Sequence, residues 1–454
     1  MVKAFLFITI LFHFVFLTQT RFTLWPEMVV YPYLFNQGFE LYTEIINPYT
    51  PLLIWGLGSF SQIFGYSPMP FQILTWLIIL SIDLLIFRIS KNLFKNSSKA
   101  LLSTAFFAIL SIPFYVNGLW FDLVQTPLVL LAFYNFYKYY AKPSEIKALV
   151  ISSIFLAIAI FIKQQAAWLV IWFGVIILVK ERKHSEKLKK ISVLILTPAI
   201  FLIAFLLLFY LQNNLDGFAS WSLLFPIFQA PKMPGYVLLP DHQQLLMLLF
   251  LFFIFIPTLF SKIRLITLTA LLLTVFAYPR FDYFHLIPSL AILSLSFGEL
   301  VAIRKSRANI FLLIGLIFLS AATLRYLKSN WTQEVRFFEK NITDTAIILS
   351  QKTKQQEKIY IQNGPDQLLP LSGRIPTKPW ADEFPWYLEL EGQQEKISAS
   401  LEKEKPEYVV SKPYDTGSIY QLGAYKPSLI KMYIDANYEF KEKISTDLML
   451  LKRK

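Results

Sequence analysis

From residue 4 to about residue 325 this chain is a succession of apolar stretches separated by short loops, and the lysines and arginines crowd into alternate loops. With 55% hydrophobic and 16% charged residues in 454, and a mean hydropathy of +0.50, a water-soluble fold would have to expose far more apolar surface than such folds tolerate. The pattern predicts a polytopic α-helical membrane protein of about eleven spans. The absence of cysteine excludes disulfides, thiolate metal sites and a cysteine nucleophile, and four histidines argue against a histidine-rich metal centre.

Threading the spans in order fixes an orientation. Lys3 lies inside and residues 4–20 cross outward; the stretch has the basic start and apolar centre of a signal peptide but ends Thr18-Gln19-Thr20, so an uncleaved anchor is expected. Residues 21–50 form a first outer loop, and 51–66, short and glycine-containing, an interfacial or re-entrant helix. The remaining crossings are expected at 70–90, 100–116, 123–141, 148–162, 164–180, 191–211, 243–261, 265–278, 284–302 and 309–325, with an outer loop at 212–241. Nineteen lysines and arginines then lie inside, in Lys3, Arg88–Lys99, Lys138–Lys147, Lys180–Lys190, Lys262–Arg264 and Arg304–Arg307, and four lie outside: Arg21, Lys163, Lys232 and Arg280. This is the positive-inside bias. It accounts for the net charge of +13 without nucleic acid, because the tail from residue 326 carries 19 basic against 18 acidic residues. The expected location is the plasma (inner) membrane, with a cytoplasmic N-terminus and an extracytoplasmic tail.

The tail, 326–454, mixes short alternating runs such as Lys358-Ile359-Tyr360-Ile361 and Tyr408-Val409-Val410 with a Lys/Glu-rich helical stretch at 391–405. It predicts a small α/β domain after a membrane domain of residues 1–325, and it holds no Gly-rich nucleotide loop.

The chemistry-bearing residues gather on the outer side. The first outer loop carries Glu27, Glu40 and Glu44 with no basic residue between Glu27 and Leu53. Such a run can be an interfacial loop with aromatic anchors, or a place where a carboxylate accepts a proton from a hydroxyl. Asp122 can cap a helix. Lys163 can snorkel, or with Gln164 and Gln165 can offer a cation and amide donors to a phosphate. Arg280-Phe281-Asp282-Tyr283-Phe284-His285 sets three ionisable types within six residues at a membrane face; a helix cap explains Asp282 but neither Arg280 nor His285. The first-loop acids and Asp282 are chemically able to share a divalent metal, though no spacing demands one.

These residues resemble the membrane-embedded GT-C glycosyltransferases, in particular glycosyltransferase family 39 and its protein-mannosyltransferase and aminoarabinose-transferase-like relatives. That group carries an acid soon after the first span and a G-x-x-Y-x-D stretch leading into P-P-L-L. Here the corresponding residues are Glu27, Gly38-Phe39-Glu40-Leu41-Tyr42-Thr43-Glu44 and Thr50-Pro51-Leu52-Leu53. Lys163-Gln164 matches its K-Q turn, and Pro279 to His285 matches its P-R-x-D-x-x-H segment. The chain departs from the pattern in having glutamate where the family usually has aspartate.

The resemblance implies a sugar donor linked to polyprenyl phosphate, membrane lipid around it, and an acceptor hydroxyl on a lipid, glycan or protein. Glu27 or Glu44 would be the base. Lys163 and Arg280, assisted by His285, would face the donor phosphate, with Glu40, Asp122, Gln164 and Asp282 in support; one displacement would invert the anomeric centre. A transporter of lipid-linked sugars would instead place charges near the midplane in two related halves. A surface-polysaccharide ligase or polymerase would share the donor, and a catalytically dead scaffold would have no need of these ionisable groups.

Overall fold

A computed structural model describes residues 1–302 and 306–454; the basic loop Arg304–Arg307 lies largely outside the described residues. The chain divides into two compact units. One comprises Met1–Thr23, Gln72–Leu207 and Leu238–Gln333, the other Leu24–Phe71, Leu208–Val237 and Glu334–Lys454.

Among the described residues five helices are long and apolar enough to cross a membrane: Val2–Gln19, Pro68–Phe94, His184–Leu211, His242–Leu259 and Leu312–Asn330. Five shorter apolar helices among the described residues, Ser97–Leu110, Ile146–Ile162, Gln164–Lys180, Arg264–Ala277 and Tyr283–Ser294, cover other stretches read from the sequence as crossings, and a sixth, Leu52–Phe64, covers the one read as interfacial or re-entrant. In His184–Leu211 only 6% of the most apolar window is buried within the protein, at a mean hydropathy of 2.8. A helix so apolar and so uncovered is stable only against lipid, and the chain is a multi-pass membrane protein.

The first unit is a helical bundle. Its core includes a face-to-face stack of Phe136 on Phe173, ring centroids 3.8 Å apart, and a second stack of Phe106 on Phe297 at 4.2 Å. Where water cannot satisfy polar groups, small hydroxyl side chains join helices at close approach. Ser152 Oγ donates to the Ala132 carbonyl at 2.8 Å, Ser153 Oγ to Leu194 at 2.7 Å, and Ser289 Oγ to Ala270 at 2.6 Å. Gly298 lets the Phe297–Ala302 helix lie against Ser97–Leu110: a Cβ there would sit 2.0 Å from the Lys99 carbonyl oxygen. Asn96 caps the latter helix by accepting from the Ser98 and Lys99 amides.

The second unit contains a four-stranded sheet. Its strands are β1 (Ile359–Gln362), β2 (Tyr408–Ser411), β3 (Tyr438–Lys443) and β4 (Met449–Arg453), in the order β1-β2-β4-β3. β1 and β2 are parallel, with Ile359 opposite Tyr408, and the other pairings are antiparallel. The parallel pair needs a crossover, which includes the Gln393–Glu404 helix predicted at 391–405. Both strands are buried along their length, as expected of sheet covered on both faces.

Residues 24–50 of the first outer loop also belong to this unit and include the helix Glu27–Asn36. Leu52–Phe64, the stretch expected to be an interfacial or re-entrant helix, is tied to it by Asn36 Nδ2 donating to the Gly58 carbonyl at 2.8 Å. The 212–241 stretch, expected as an outer loop, contains a π-helical segment at Ala219–Gln229. Its neighbour Phe218 stacks on Phe209 at 4.5 Å, an apolar contact a solvated loop would not make.

Candidate active site

The predicted residues fall into two clusters, one in each compact unit. In the first unit, Asp122, Lys163 and His285 come together from three elements. Asp122 is on the first turn of the Phe121–Ala141 helix, Lys163 follows the end of Ile146–Ile162, and His285 is in the short turn Tyr283–Leu286. Asp122 Oδ2 receives Lys163 Nζ at 2.6 Å and His285 Nδ1 at 2.7 Å. Lys163 Nζ also lies 3.2 Å from His285 Nδ1. Nδ1 has at most one proton, and the shorter contact to a carboxylate assigns it to Asp122. The side chains of Asp122 and Lys163 are 0% and 6% exposed, so the pair is held with almost no help from water.

Asp282 is a cap: its side chain accepts from the Tyr283 amide at 2.6 Å, and its carbonyl accepts from the His285 amide at 3.2 Å. The preceding segment is pinned by a bridge in which the Leu238 amide donates to Pro279 and the Phe281 amide donates to Leu238, each at 2.9 Å. Arg280 sits within this bridge, and its charge acts on His285. Gln164 opens the turn after Lys163, and Gln165 Nε2 donates to the Tyr278 carbonyl at 2.5 Å.

In the second unit, Glu27 opens the Glu27–Asn36 helix, where the helix dipole favours an acid. Its Oε2 is buried and has no hydrogen-bond partner among the described residues. One turn on, Tyr31 donates its hydroxyl to Asp382 Oδ2 at 2.7 Å. Burial first, and the Asp382 charge second, push the Glu27 carboxyl up to about 8. Asp382 is pushed up to about 6 by burial, against the Tyr31 hydrogen bond that lowers it. Asp366 is raised by burial and by the charges of Asp382, Glu383 and Glu27. Glu383 is pushed up to about 7 by burial, although it accepts from the Tyr360 hydroxyl and the Asn363 amide, each at 2.9 Å.

Glu40 and Glu44 are placed differently. Glu44 Oε2 accepts from Lys378 Nζ at 2.7 Å and from the Glu40 amide at 2.9 Å, and the ion pair is about a third exposed. Glu40 is exposed and takes the Thr43 hydroxyl at 3.2 Å. Among the described residues no group of three or more histidines and acids is arranged to hold a metal ion.

Sequence reasoning missed Asp366, Asp382 and Glu383. The run Trp380-Ala381-Asp382-Glu383-Phe384-Pro385-Trp386-Tyr387 held the signal, since paired acids amid aromatics are candidates for burial. It also missed His13 and Asp83, fully buried in the first unit with Nδ1 and Oδ2 2.7 Å apart. A lone histidine and a lone aspartate inside two apolar spans should have been singled out.

Residues 48–210 match the family described as dolichyl-phosphate-mannose-protein mannosyltransferase. Among curated proteins none matches by sequence. Among solved structures, ArnT from Cupriavidus metallidurans bound to undecaprenyl phosphate superimposes with a TM-score of 0.60 at 11% identity, covering 99% of this chain and 97% of that one. The arabinofuranosyltransferase AftD from Mycobacteria gives 0.53 at 13% identity, covering 99% of this chain and 41% of that one. The chain shares its fold with ArnT and with the arabinofuranosyltransferase AftD.

Proposed function

We propose that the protein is an inverting glycosyltransferase that moves a sugar from a polyprenyl-phosphate donor to an acceptor hydroxyl at the outer face of the membrane. The observation that carries this proposal is Glu27, a carboxylate with one buried, unpartnered oxygen on the helix that follows the first apolar helix. Its carboxyl, pushed up to about 8, has the proton affinity suited to a base working near neutral pH. The shared fold supports the substrate class, and the ArnT relative was solved holding undecaprenyl phosphate.

In the proposed reaction the acceptor oxygen attacks the anomeric carbon as its proton passes to Glu27. The new carbon–oxygen bond forms while the bond to the phosphate oxygen breaks, and that electron pair leaves with the polyprenyl phosphate. One displacement inverts the centre. Lys163, held in place by Asp122, and Arg280 supply positive charge for the growing phosphate charge, with His285 beside them. Glu44, already engaged by Lys378, supports the loop and is not the base. The N-terminus is cytoplasmic, and the segment 326–454 is an extracytoplasmic α/β domain.

The test is sugar release from a synthetic polyprenyl-phosphate sugar panel by purified wild type, Glu27→Gln and Arg280→Ala. Glu27→Gln should lose roughly 100- to 10,000-fold in turnover while still binding the donor. Arg280→Ala should weaken donor binding. A Glu27→Gln protein that turns over like wild type rules out Glu27 as the base. Wild type that consumes no donor, yet carries lipid-linked sugar across proteoliposomes, is a transporter.

A further inference from the structure

The segment 374–383 is bound to the first outer loop by main chain and side chain together. The Trp380 amide donates to the Glu44 carbonyl at 2.8 Å, and the Ile46 amide donates to the Trp380 carbonyl at 3.0 Å, so the segment adds a short bridge to the loop. Tyr33 donates its hydroxyl to the Arg374 carbonyl at 2.9 Å. Lys378 Nζ holds Glu44 at 2.7 Å and the Gly38 carbonyl at 3.1 Å. The last of these ties is the Tyr31 hydroxyl on Asp382, 93% of whose surface is buried.

Glu27 and Tyr31 are four residues apart on one helix and so share a face. A tyrosine that orients Asp382 from that face sets the aspartate beside the helix turn that carries Glu27. Six hydrogen bonds hold the segment there. They tie the acid to the helix that carries Glu27, and a group that tunes a proton acceptor must be held in place.

We propose that Asp382 is a positioning residue for the catalytic base: segment 374–383 carries it to Glu27, Tyr31 fixes its carboxyl, and the base is thereby completed by the C-terminal part of the chain. The inference rests on Glu27 being the base. Its chemistry is that of a carboxylate pair in which the charge of one acid strengthens the other as a proton acceptor. The groups whose charges couple to Glu27 are acids and phenols: Asp382 and Asp366, with Tyr31 and Tyr387. Glu383 acts in turn on Asp366. Asp382 is distinguished within this set because its charge acts directly on Glu27 and Tyr31 anchors it.

The experiment is the pH–rate profile for donor turnover by full-length protein between about pH 5.5 and 9, with undecaprenyl phosphate binding measured in parallel. Because Asp382 raises Glu27, Asp382→Asn should move the rising limb of the profile to lower pH. It should also cut the plateau rate by roughly 3- to 30-fold, as a weaker base must, with KM and lipid binding unchanged. Tyr31→Phe leaves Asp382 without its donor, so that Asp382 keeps its own proton to higher pH and acts less on Glu27. The limb should move the same way by a smaller step, and this variant carries the test if Asp382→Asn does not fold. A limb that stays in place in the folded variant, while Glu27→Gln is inactive, overturns the inference and leaves the base assignment standing. Turnover retained by Glu27→Gln overturns both.

Discussion

Removing the charge of Asp122 should destabilise the membrane bundle, and removing its partner as well should add less than the partner costs when removed alone. Asp122 Oδ2 and Lys163 Nζ are 2.6 Å apart with side chains 0% and 6% exposed. At an effective dielectric near 20, two unit charges at that separation attract by roughly 6 kcal/mol, and this offsets the cost of taking both from water. Asp122→Asn leaves the Lys163 ammonium buried beside a neutral amide, which should cost about 3–5 kcal/mol. Lys163→Met alone strands a buried carboxylate and should cost about as much, with His285 Nδ1–H and the Gln125 amide still donating to it. The double variant removes both charges, so its loss should fall short of the sum of the singles by about 2 kcal/mol or more. The assay is reversible unfolding of the purified protein in mixed micelles, followed by helical circular dichroism, for wild type, both singles and the double. If Asp122→Asn stays within about 1 kcal/mol of wild type, or the double is simply additive, the pair is not the buried ion pair described here. Undecaprenyl phosphate binding by the same proteins separates the two roles of Lys163. A Lys163→Met protein of unchanged stability that no longer binds lipid phosphate would make Lys163 a ligand-binding group alone.

Two further outcomes follow from the second unit. The Glu44–Lys378 pair is about a third exposed on each side, so Glu44→Gln should change stability by only about 0–1 kcal/mol and, with Glu27 as base, turnover by no more than a few-fold; inactivation with donor binding intact would move the base to Glu44. Glu27, Asp382 and Glu383 are all raised in the folded state, to about 8, 6 and 7, so the unfolded chain releases their protons first as pH rises. Stability should be fullest below the ordinary carboxylate range and should be lost progressively as pH climbs through 6 to 8, read as faster amide exchange in Glu27–Asn36 and 374–383. Glu27→Gln should flatten the upper part of that decline, and protection that grows over the same range would contradict it.

The apolar stretches and the placement of lysine and arginine in alternate loops were enough to define a multi-pass membrane protein, because hydropathy and charge act segment by segment. The strand runs at 358–361 and 408–410 and the helix at 391–405 were legible for the same reason: periods of 2 and 3.6 are local. Local chemistry also sufficed for Asp282, whose capping bond reaches only to its neighbour. Sequence alone singled out Glu27, Lys163 and His285 but could not distinguish their surroundings from those of Glu44. That distinction is tertiary. Lys378 engages Glu44 from 334 residues away, Tyr31 reaches Asp382 across 351, and Asp122 holds His285 across 163. Whether an acid is paired, buried or left with an unpartnered oxygen depends on what distant chain packs against it, and burial then sets its proton affinity. Neither periodicity nor composition encodes that partner. The close packing of helices and of the four-stranded sheet selects it, because only one arrangement fills the interior while satisfying the polar groups it encloses.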